Sequence, residues 1–456
     1  MGKAKTCCIM VYGCAKNQVD AEEMAARLRD AGYRLSADPA EANVLVVHTC
    51  GFIEDARRES VEGILLACQA AEETAASSGG KAPPVVVTGC LSQRYPKDLV
   101  DEIPEIAGVA GTAAPRDIVE IVGAALSGRR LQDVGSPGRG APGAGTARAA
   151  RVALTPGASW AYLRVSEGCR HRCTYCAIPS MRGTLASREP DDVLNEAKTL
   201  AAEGVKELDL IAQDLSDYGY DLAGERRLAP LVRSLVSIPE IAWVRLLYVR
   251  PDGVTSELGD AMALPKVAPY VDLPVEHGSA KVLRLMGRPG PDRILEAVET
   301  LRASVPGLFI RTTVIAGFPG ETEKDVEDTL GLLKAMGVHR VGVFSYSREE
   351  GTSAYGLPDP VPPEAARERT ELIRRFGLVL AKESSESLVG MDIPVLLAKP
   401  SVRPGYWIGR GPHQAPEVDG RTYVKIADVA PGIPAESFVT ATIKRAGVLS
   451  LFASRR

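Results

Sequence analysis

The sequence predicts an α/β protein made of three domains in series. Continuous Val, Ile and Leu runs alternate with helical patterns in residues 1–125, and the same alternation returns in residues 156–387. Such runs are typical of parallel strands that are covered by helices on both faces. Residues 388–456 differ, because short strand patterns separated by Gly- and Pro-rich turns predict a small β-barrel there.

The N-terminal domain is predicted to span residues 1–125. Its strand candidates are TCCIMVYGC, NVLVVHTC and PVVVTGC, with helices expected over 20–31 and 56–75. A linker is predicted over 126–155, because 12 of the 16 residues in GSPGRGAPGAGTARAA are Gly, Pro or Ala. Such a composition offers too little apolar bulk to order itself.

The central domain, residues 156–387, contains six strand–helix units. An eight-unit barrel takes about 250 residues. We therefore expect a partial (β/α)6 barrel with its site at the C-terminal strand ends. The strand candidates are AYLRVSEGC, KELDLIAQD, AWVRLLYVR, YVDLPVEH, LFIRTTVIAGF and RVGVFSYS.

Composition and the nine cysteines point to metal chemistry in a reducing compartment. The chain is 45% hydrophobic and 25% charged, and it has no run of about 18 apolar residues that would span a membrane. Its first residues, MGKAKTCCIMVYGC, lack the apolar region of a signal peptide, so a cytoplasmic location is expected. Cysteines at defined spacing in such a protein indicate metal binding or catalysis before disulfides.

The segment SEGCRHRCTYCAIP carries the strongest chemical signal. It places Cys169, Cys173 and Cys176 at C-x3-C-x2-C spacing, which a loop can wrap around one centre. Three thiolates fit an iron–sulfur cluster with one open iron, since a 4Fe–4S cube usually takes four. A zinc site with His171 as fourth ligand is the alternative, although paired C-x2-C motifs are lacking.

A second set of three cysteines follows three predicted strands. Cys14, Cys50 and Cys90 end the segments VYGC, VHTC and VTGC. The C-terminal ends of parallel strands share one edge of the sheet, where ligands bind. These thiols are therefore expected in one crevice as ligands of a second cluster, with small buried hydrophobes as the alternative. Cys7, Cys8 and Cys68 fit that alternative.

The C-x3-C-x2-C loop resembles the signature of the radical S-adenosylmethionine superfamily, which has an aromatic residue before the third cysteine. Tyr175 stands at that place. The resemblance implies a 4Fe–4S cluster whose open iron binds the methionine part of S-adenosylmethionine, with Tyr175 near the adenine. One electron from the cluster then breaks the sulfonium bond, and the deoxyadenosyl radical removes a hydrogen atom from the substrate.

The whole order of features resembles the methylthiotransferases, which insert sulfur into a C–H bond and methylate it. Members have an N-terminal auxiliary-cluster domain, a radical S-adenosylmethionine core and a C-terminal, OB-like TRAM domain. The resemblance implies two 4Fe–4S clusters, with the sulfur to be transferred on the one at Cys14, Cys50 and Cys90. It also implies an electron donor such as flavodoxin or ferredoxin, and no catalytic residue beyond the clusters is assigned.

Four residues are weaker candidates for cofactor contacts. Gly317 and Glu321 lie in GFPGET, where a strand ends and backbone amides could approach a ligand. Gln213 and Asp214 end the strand segment IAQD, with helix capping as an equal alternative for Asp214.

Three further polar residues on strand segments are interpreted as structural. Arg311 is expected to be ion-paired. His48 and His277 are expected to be hydrogen-bonded residues and not ligands.

Two substrates compete: an adenosine of transfer RNA, and the β-carbon of an aspartate in protein twelve of the small ribosomal subunit. TCGFIEDARRES, IAQDLSDYGYDL and GPHQAPEVDG resemble the ribosomal-protein branch of the family. Residues 388–456 hold nine Lys and Arg against five Asp and Glu, which is a net charge of +4. The other 387 residues therefore carry a net charge of −8, which gives the total of −4. An acidic body favours a basic protein substrate, while the basic tail could touch RNA. A two-cluster electron-transfer or binding protein is the non-enzyme alternative.

Overall fold

The computed structural model describes residues 5–137, 151–154, 158–426 and 437–456. The chain forms two compact units. The first combines residues 1–156, 164–189 and 349–355, and the second combines 157–163, 190–348 and 356–456. The first unit therefore crosses the predicted boundary at residue 156, since it includes a segment that the sequence assigned to the central domain.

The first unit contains a six-stranded parallel sheet in the order β2-β1-β3-β4-β5-β6. Three of its strands match the predicted segments, and β2, β5 and β6 were not predicted. The strands are β1 (Thr6–Val11), β2 (Arg34–Leu35), β3 (Val44–Thr49), β4 (Val85–Gly89), β5 (Ile106–Ala110) and β6 (Leu131–Asp133). β6 lies inside the predicted 126–155 linker; residues 138–150 and 155 of that linker are outside the described residues.

Helices cover both faces of this sheet, as the continuous apolar strands predict. Ile64 and Ala67 belong to the apolar cluster on one face, and Met24 and Ile118 belong to the cluster on the other. The two expected helices are present, the first beginning five residues earlier than predicted. The helices are α1 (Ala15–Asp30), α2 (Glu54–Ser78), α3 (Cys90–Arg94), α4 (Pro96–Glu102) and α5 (Ala114–Leu126).

The cysteine loop of SEGCRHRCTYCAIP also belongs to the first unit. It follows β7 (Trp160–Arg164) and is bounded by the antiparallel pair β8 (Ser166–Glu167) and β9 (Ala186–Ser187). The short helix α6 (Ile178–Arg182) lies between them and packs its buried Met181 in a small apolar cluster with Ala177 and Cys90.

The second unit contains a six-stranded sheet in the order β14-β13-β12-β11-β10-β7, in which neighbours in space are neighbours in sequence. This is the order that a partial (β/α)6 barrel requires, and all six predicted segments contribute a strand. Strands β10 to β14 pair in parallel. They are β10 (Glu207–Ile211), β11 (Trp243–Leu246), β12 (Val267–Asp272), β13 (Phe309–Ala316) and β14 (Arg340–Ser345).

Helices separate these strands along the chain, and a long one follows the last strand. They are α7 (Pro190–Ala202), α8 (Tyr220–Ala223), α9 (Leu228–Leu235), α10 (Ser256–Met262), α11 (Ala280–Met286), α12 (Pro291–Ser304), α13 (Glu323–Ala335) and α14 (Pro363–Ser387). In the described residues, no helix has the length and apolar character needed to cross a membrane.

The C-terminal residues form the expected small barrel, closed in the order β15-β16-β17-β19-β18. It has one strand more than the four predicted segments, because the last residues pair with both β17 and β18. The strands are β15 (Asp392–Pro400), β16 (Tyr406–Arg410), β17 (Arg421–Lys425), β18 (Phe438–Ala446) and β19 (Ser450–Arg455).

The loop between β16 and β17 docks against residues of the core strands within the second unit. The carbonyl oxygen of Pro412 accepts a hydrogen bond of 2.6 Å from Arg245, and Asp419 accepts one of 2.5 Å from the Tyr270 hydroxyl. Arg410 donates to the fully buried Glu207 carboxylate at 2.5 Å. The segment GPHQAPEVDG is therefore a packing element between the small barrel and the core sheet.

Candidate metal centres

Cys14, Cys50 and Cys90 lie where three neighbouring strands of the first sheet end. Cys14 is the N-cap of α1, Cys50 directly follows β3, and Cys90 is the first residue of α3. Because β1, β3 and β4 are adjacent and parallel, these positions share one edge. Cys50 and Cys90 are buried and Cys14 is exposed, so this edge opens to solvent at one cysteine.

The three residues approach one another closely. A Cβ on Gly13, whose φ is +109°, would lie 2.6 Å from the Cys50 Cβ, so only glycine lets the two chain turns meet. Burial and, to a smaller extent, the nearby Cys14 and Cys90 thiols raise the pKa of Cys50 to about 12. All nine cysteines are free thiols. A bound cation that neutralises the thiolates removes this repulsion, so the donor set fits an iron–sulfur cluster.

The C-x3-C-x2-C loop is shaped by its backbone. Gly168 has φ of +69°, and a Cβ there would lie 2.1 Å from the Thr184 carbonyl oxygen. The Cys169 amide donates to the Gly183 carbonyl at 3.2 Å, and the Cys176 amide donates to the Cys173 carbonyl at 3.0 Å. All three cysteines of the loop are partly exposed. Three accessible thiols on one tight loop fit a cluster with one iron left open to a ligand.

A buried arginine that the sequence analysis missed links the two sets of cysteines. Arg182 ends α6 and donates from Nε to the Cys90 sulfur at 3.2 Å. Its other nitrogens contact Asn17 at 2.8 Å, Asp20 at 2.8 Å and Glu167 at 3.2 Å. A single guanidinium thus contacts one N-terminal cysteine and a residue that precedes the cysteine loop.

Arg164 is a second buried arginine that forms ion pairs with the acidic groups of this network. It pairs with Asp20 at 2.5 Å, with Glu23 at 2.9 Å and with Glu167 at 2.7 Å. Burial opposes ionisation of Asp20, but the guanidinium groups of Arg182 and Arg164 outweigh it and lower the pKa of Asp20 far below its usual value. The group is therefore an ionised network, and ionised partners of this kind hold each other in fixed geometry.

Tyr175 and the pair Gln213 and Asp214 lie in different units. Tyr175 is partly exposed between Cys173 and Cys176, whereas Gln213 and Asp214 follow β10 in the second unit. Asp214 accepts hydrogen bonds from the Ser216 amide and hydroxyl and caps a single helical turn. The capping alternative for Asp214 is confirmed, and the cofactor contacts of these residues stay predictions.

Gly317 and Glu321 are brought together in the second unit. The Gly317 amide donates to both Glu321 carboxylate oxygens at 3.0 Å, and His277 and Arg369 contact the same buried carboxylate at 3.0 Å. These contacts give Glu321 a role in holding the GFPGET turn. Gly317 has φ of +81°, and a Cβ there would lie 2.6 Å from the Ala366 Cβ. A contact of either residue with the cofactor stays a prediction.

The residues interpreted as structural behave as expected. His48 is fully buried and contacts Thr88 and Asp20, and His277 contacts Glu321. Arg311 pairs with Asp272 at 3.1 Å. Cys7 and Cys8 are buried in β1, and Cys68 is buried in α2.

Comparison with known proteins decides the family. The "Ribosomal protein uS12 methylthiotransferase RimO" of Desulforudis audaxviator is 42% identical over 454 residues, which covers 98% of this chain and 96% of that protein. The protein of the same name from Moorella thermoacetica is 42% identical and covers 91% and 92%. The chain belongs to the RimO methylthiotransferase family. It is an enzyme, so the non-enzyme alternative is excluded.

Three family models match separate parts of this methylthiotransferase. Residues 6–111 match the Uncharacterized protein family UPF0004, residues 163–333 match the radical SAM superfamily, and residues 389–455 match the TRAM domain. Family membership implies S-adenosylmethionine and a 4Fe–4S cluster. The cysteines of the C-x3-C-x2-C loop lie inside the superfamily match and fit that cluster.

Solved structures support the fold of the methylthiotransferase alone. The radical S-adenosylmethionine methyltransferase TsrM from Kitasatospora setae aligns with a TM-score of 0.56 and 16% identity, covering 77% of this chain and 74% of that chain. The cobalamin-dependent S-adenosylmethionine radical enzyme OxsB aligns with a TM-score of 0.52 and 12% identity, covering 82% and 56%.

Proposed function

We propose that this methylthiotransferase modifies the β-carbon of an aspartate in ribosomal protein uS12, using two 4Fe–4S clusters. The relatives carry uS12 in their names. The observation that carries the two-cluster part is that six free cysteines, in two sets of three, belong to one compact unit. A single cluster on the loop would use only three of these six thiols and would leave the three at the sheet edge without a metal to bind.

The two sets of three cysteines hold clusters with different roles. When bound, the clusters supply the electron that cleaves S-adenosylmethionine and the sulfur that enters the substrate. Cys169, Cys173 and Cys176 hold the first cluster on the exposed loop. Tyr175 lies within that loop and is suited to pack beside the adenine of the cofactor.

Strand-end groups of the second unit are proposed as contacts of S-adenosylmethionine. Gln213 follows β10, and Gly317 opens the GFPGET turn after β13. In parallel α/β folds these strand ends are where ligands bind. Glu321 supports Gly317 by accepting its amide hydrogen, so the turn is held before any ligand arrives.

Charge and family resemblance both favour the protein substrate over transfer RNA. Residues 1–387 carry a net charge of −8. An acidic surface attracts a basic ribosomal protein and repels a phosphate backbone. Residues 388–456 carry +4, and the TRAM domain is the region proposed to contact RNA. A flavodoxin or ferredoxin is proposed as the electron donor.

The experiment compares both substrates with one preparation. Anaerobically reconstituted enzyme is incubated with S-adenosylmethionine, a reductant and either purified uS12 or bulk transfer RNA. We expect 5′-deoxyadenosine to form and uS12 to gain one methylthio group, which tandem mass spectrometry localises to an aspartate. Modification confined to transfer RNA contradicts the substrate, and modification of another uS12 residue contradicts the aspartate.

Cysteine variants test the division of labour. Replacing Cys173 with alanine is expected to abolish 5′-deoxyadenosine formation. Replacing Cys50 with alanine is expected to abolish methylthiolation while 5′-deoxyadenosine still forms. If C50A methylthiolates uS12 as well as the unchanged enzyme does, the N-terminal cysteines do not hold a second functional cluster.

A further inference from the structure

We infer that Arg182 is a positioning residue for the cluster on Cys14, Cys50 and Cys90 and raises its reduction potential. This inference rests on the two-cluster part of the proposed function. Its basis is the direct contact of a buried cation with a ligand sulfur: the Arg182 Nε lies 3.2 Å from the Cys90 Sγ. Hydrogen bonds and charges at ligand sulfurs set the potentials of iron–sulfur clusters.

The two terminal nitrogens of Arg182 anchor its side chain. One terminal nitrogen contacts Asp20 at 2.8 Å and Glu167 at 3.2 Å, and the other donates to Asn17 at 2.8 Å. The side chain is only 3% exposed. With its two terminal nitrogens fixed on acceptors, the planar guanidinium leaves Nε directed at the Cys90 sulfur.

Asn17 extends this arrangement to the other two cysteines. Its amide nitrogen donates to the carbonyl oxygens of Tyr12 at 2.7 Å and Thr49 at 3.0 Å, which precede Cys14 and Cys50. Its amide oxygen accepts from Arg182 and lies 3.9 Å from the Cys14 sulfur. Arg182 therefore orients one cysteine directly and the other two through a single asparagine.

The direction of the effect follows from charge. A cluster gains negative charge when it is reduced, so a nearby cation and an N–H donated to its sulfur favour the reduced state. Replacing Arg182 with a neutral residue is expected to shift the midpoint potential to more negative values. Lysine keeps the charge but loses the planar Nε–H, so R182K is expected to lie between the two.

Arg164 provides a matched control in the same network. It is buried to a similar degree and pairs with Asp20 and Glu167, as Arg182 does. Within the described part of the chain, its hydrogen bonds and ion pairs involve no cysteine sulfur. R164Q removes one positive charge from the two acidic groups that both arginines contact, Asp20 and Glu167. It therefore measures the structural and long-range electrostatic part of the effect without the hydrogen bond to Cys90.

The measurement is redox potentiometry followed by EPR in the full chain carrying C169A, C173A and C176A, so that only the N-terminal cluster contributes. The expected order of midpoint potentials is parent, then R182K, then R182Q, with R164Q shifted clearly less than R182Q. Equal shifts in R182Q and R164Q, or no shift in either, would overturn the inference. Should R182Q fail to fold, the comparison of R182K with R164K decides on the same criterion.

Iron content separates this inference from the proposed function. If the parent triple variant binds no iron, the second cluster is refuted, and the inference about Arg182 falls with it. If it binds a cluster and the potentials do not depend on Arg182, the two-cluster proposal stands and the role of Arg182 fails.

Discussion

Replacing His413 with glutamine is expected to make the second unit less sensitive to acid. His413 lies in the loop that docks the small barrel, with its ring 5.7 Å from the Phe309 ring. Burial, the cations Arg245 on β11 and Arg340 on β14, and the neighbouring His339 together lower the pKa of His413 to about 3. The folded protein therefore keeps this imidazole neutral across the mildly acidic range.

The sign and size follow from the difference between the folded and unfolded states. The ordinary pKa of histidine is 6.5, so below that value the unfolded chain binds a proton that the folded chain rejects. The free energy of unfolding then falls by about 1.4 kcal/mol per pH unit between pH 6.5 and pH 3. At pH 5 the loss from His413 is about 2 kcal/mol, and above pH 6.5 it vanishes.

The assay is urea unfolding at pH 7.5 and pH 5.0, followed by tryptophan fluorescence. All three tryptophans, Trp160, Trp243 and Trp407, belong to the second unit, so the signal reports that unit. The substitution also removes packing of the imidazole ring, but this cost is the same at both pH values and cancels on subtraction. We expect H413Q to lose about 2 kcal/mol less than the unchanged protein on acidification. Equal losses in both proteins would refute the reasoning.

Three further predictions concern the cysteine sites and the docked loop. C68A should retain all bound iron because Cys68 is a buried apolar residue on α2. C50A should lose about four irons per chain in an iron assay. Equal iron content in both variants would contradict this prediction. G168A should lose the loop cluster and its 5′-deoxyadenosine formation, because φ is +69° and the new Cβ meets a carbonyl oxygen at 2.1 Å; full activity would contradict it. D419A should destabilise the second unit by about 1–3 kcal/mol in urea, since the buried Tyr270 hydroxyl loses its acceptor; D419N, which keeps an acceptor, should lose less.

The long buried strands could be predicted because their signal is local. β3 and β4 are continuous apolar runs, and every predicted core segment contains a strand. The strands that were missed are short or interrupted: β2 has two residues, and β5 contains a glycine that weakens the pattern. β19 alternates buried and more exposed residues, so a period-two signal was present in the sequence.

The cysteines could be predicted for the same reason, but the residues that hold them could not. Strand order puts Cys14, Cys50 and Cys90 on one edge without any knowledge of side-chain contacts. Arg182 contacts Cys90 and Asn17 across 92 and 165 residues, and no local pattern encodes that distance. The one available signal is on α1, where Asn17, Asp20 and Glu23 recur every three residues among buried apolar positions, which indicates a buried polar stripe.

The ionised network joins residues 164–189 to the N-terminal sheet. The family models separate residues 6–111 from residues 163–333, which places the two cysteine sets in different domains. Asp20 is buried in the first unit, and both cations that keep it ionised, Arg164 and Arg182, come from the later segment. A buried carboxylate without its cations is strongly destabilising. The sheet edge that carries Cys14, Cys50 and Cys90 therefore reaches its charge balance only when residues 164–189 fold against it, and exchanging that segment between relatives requires the acidic partners on α1 to be exchanged with it.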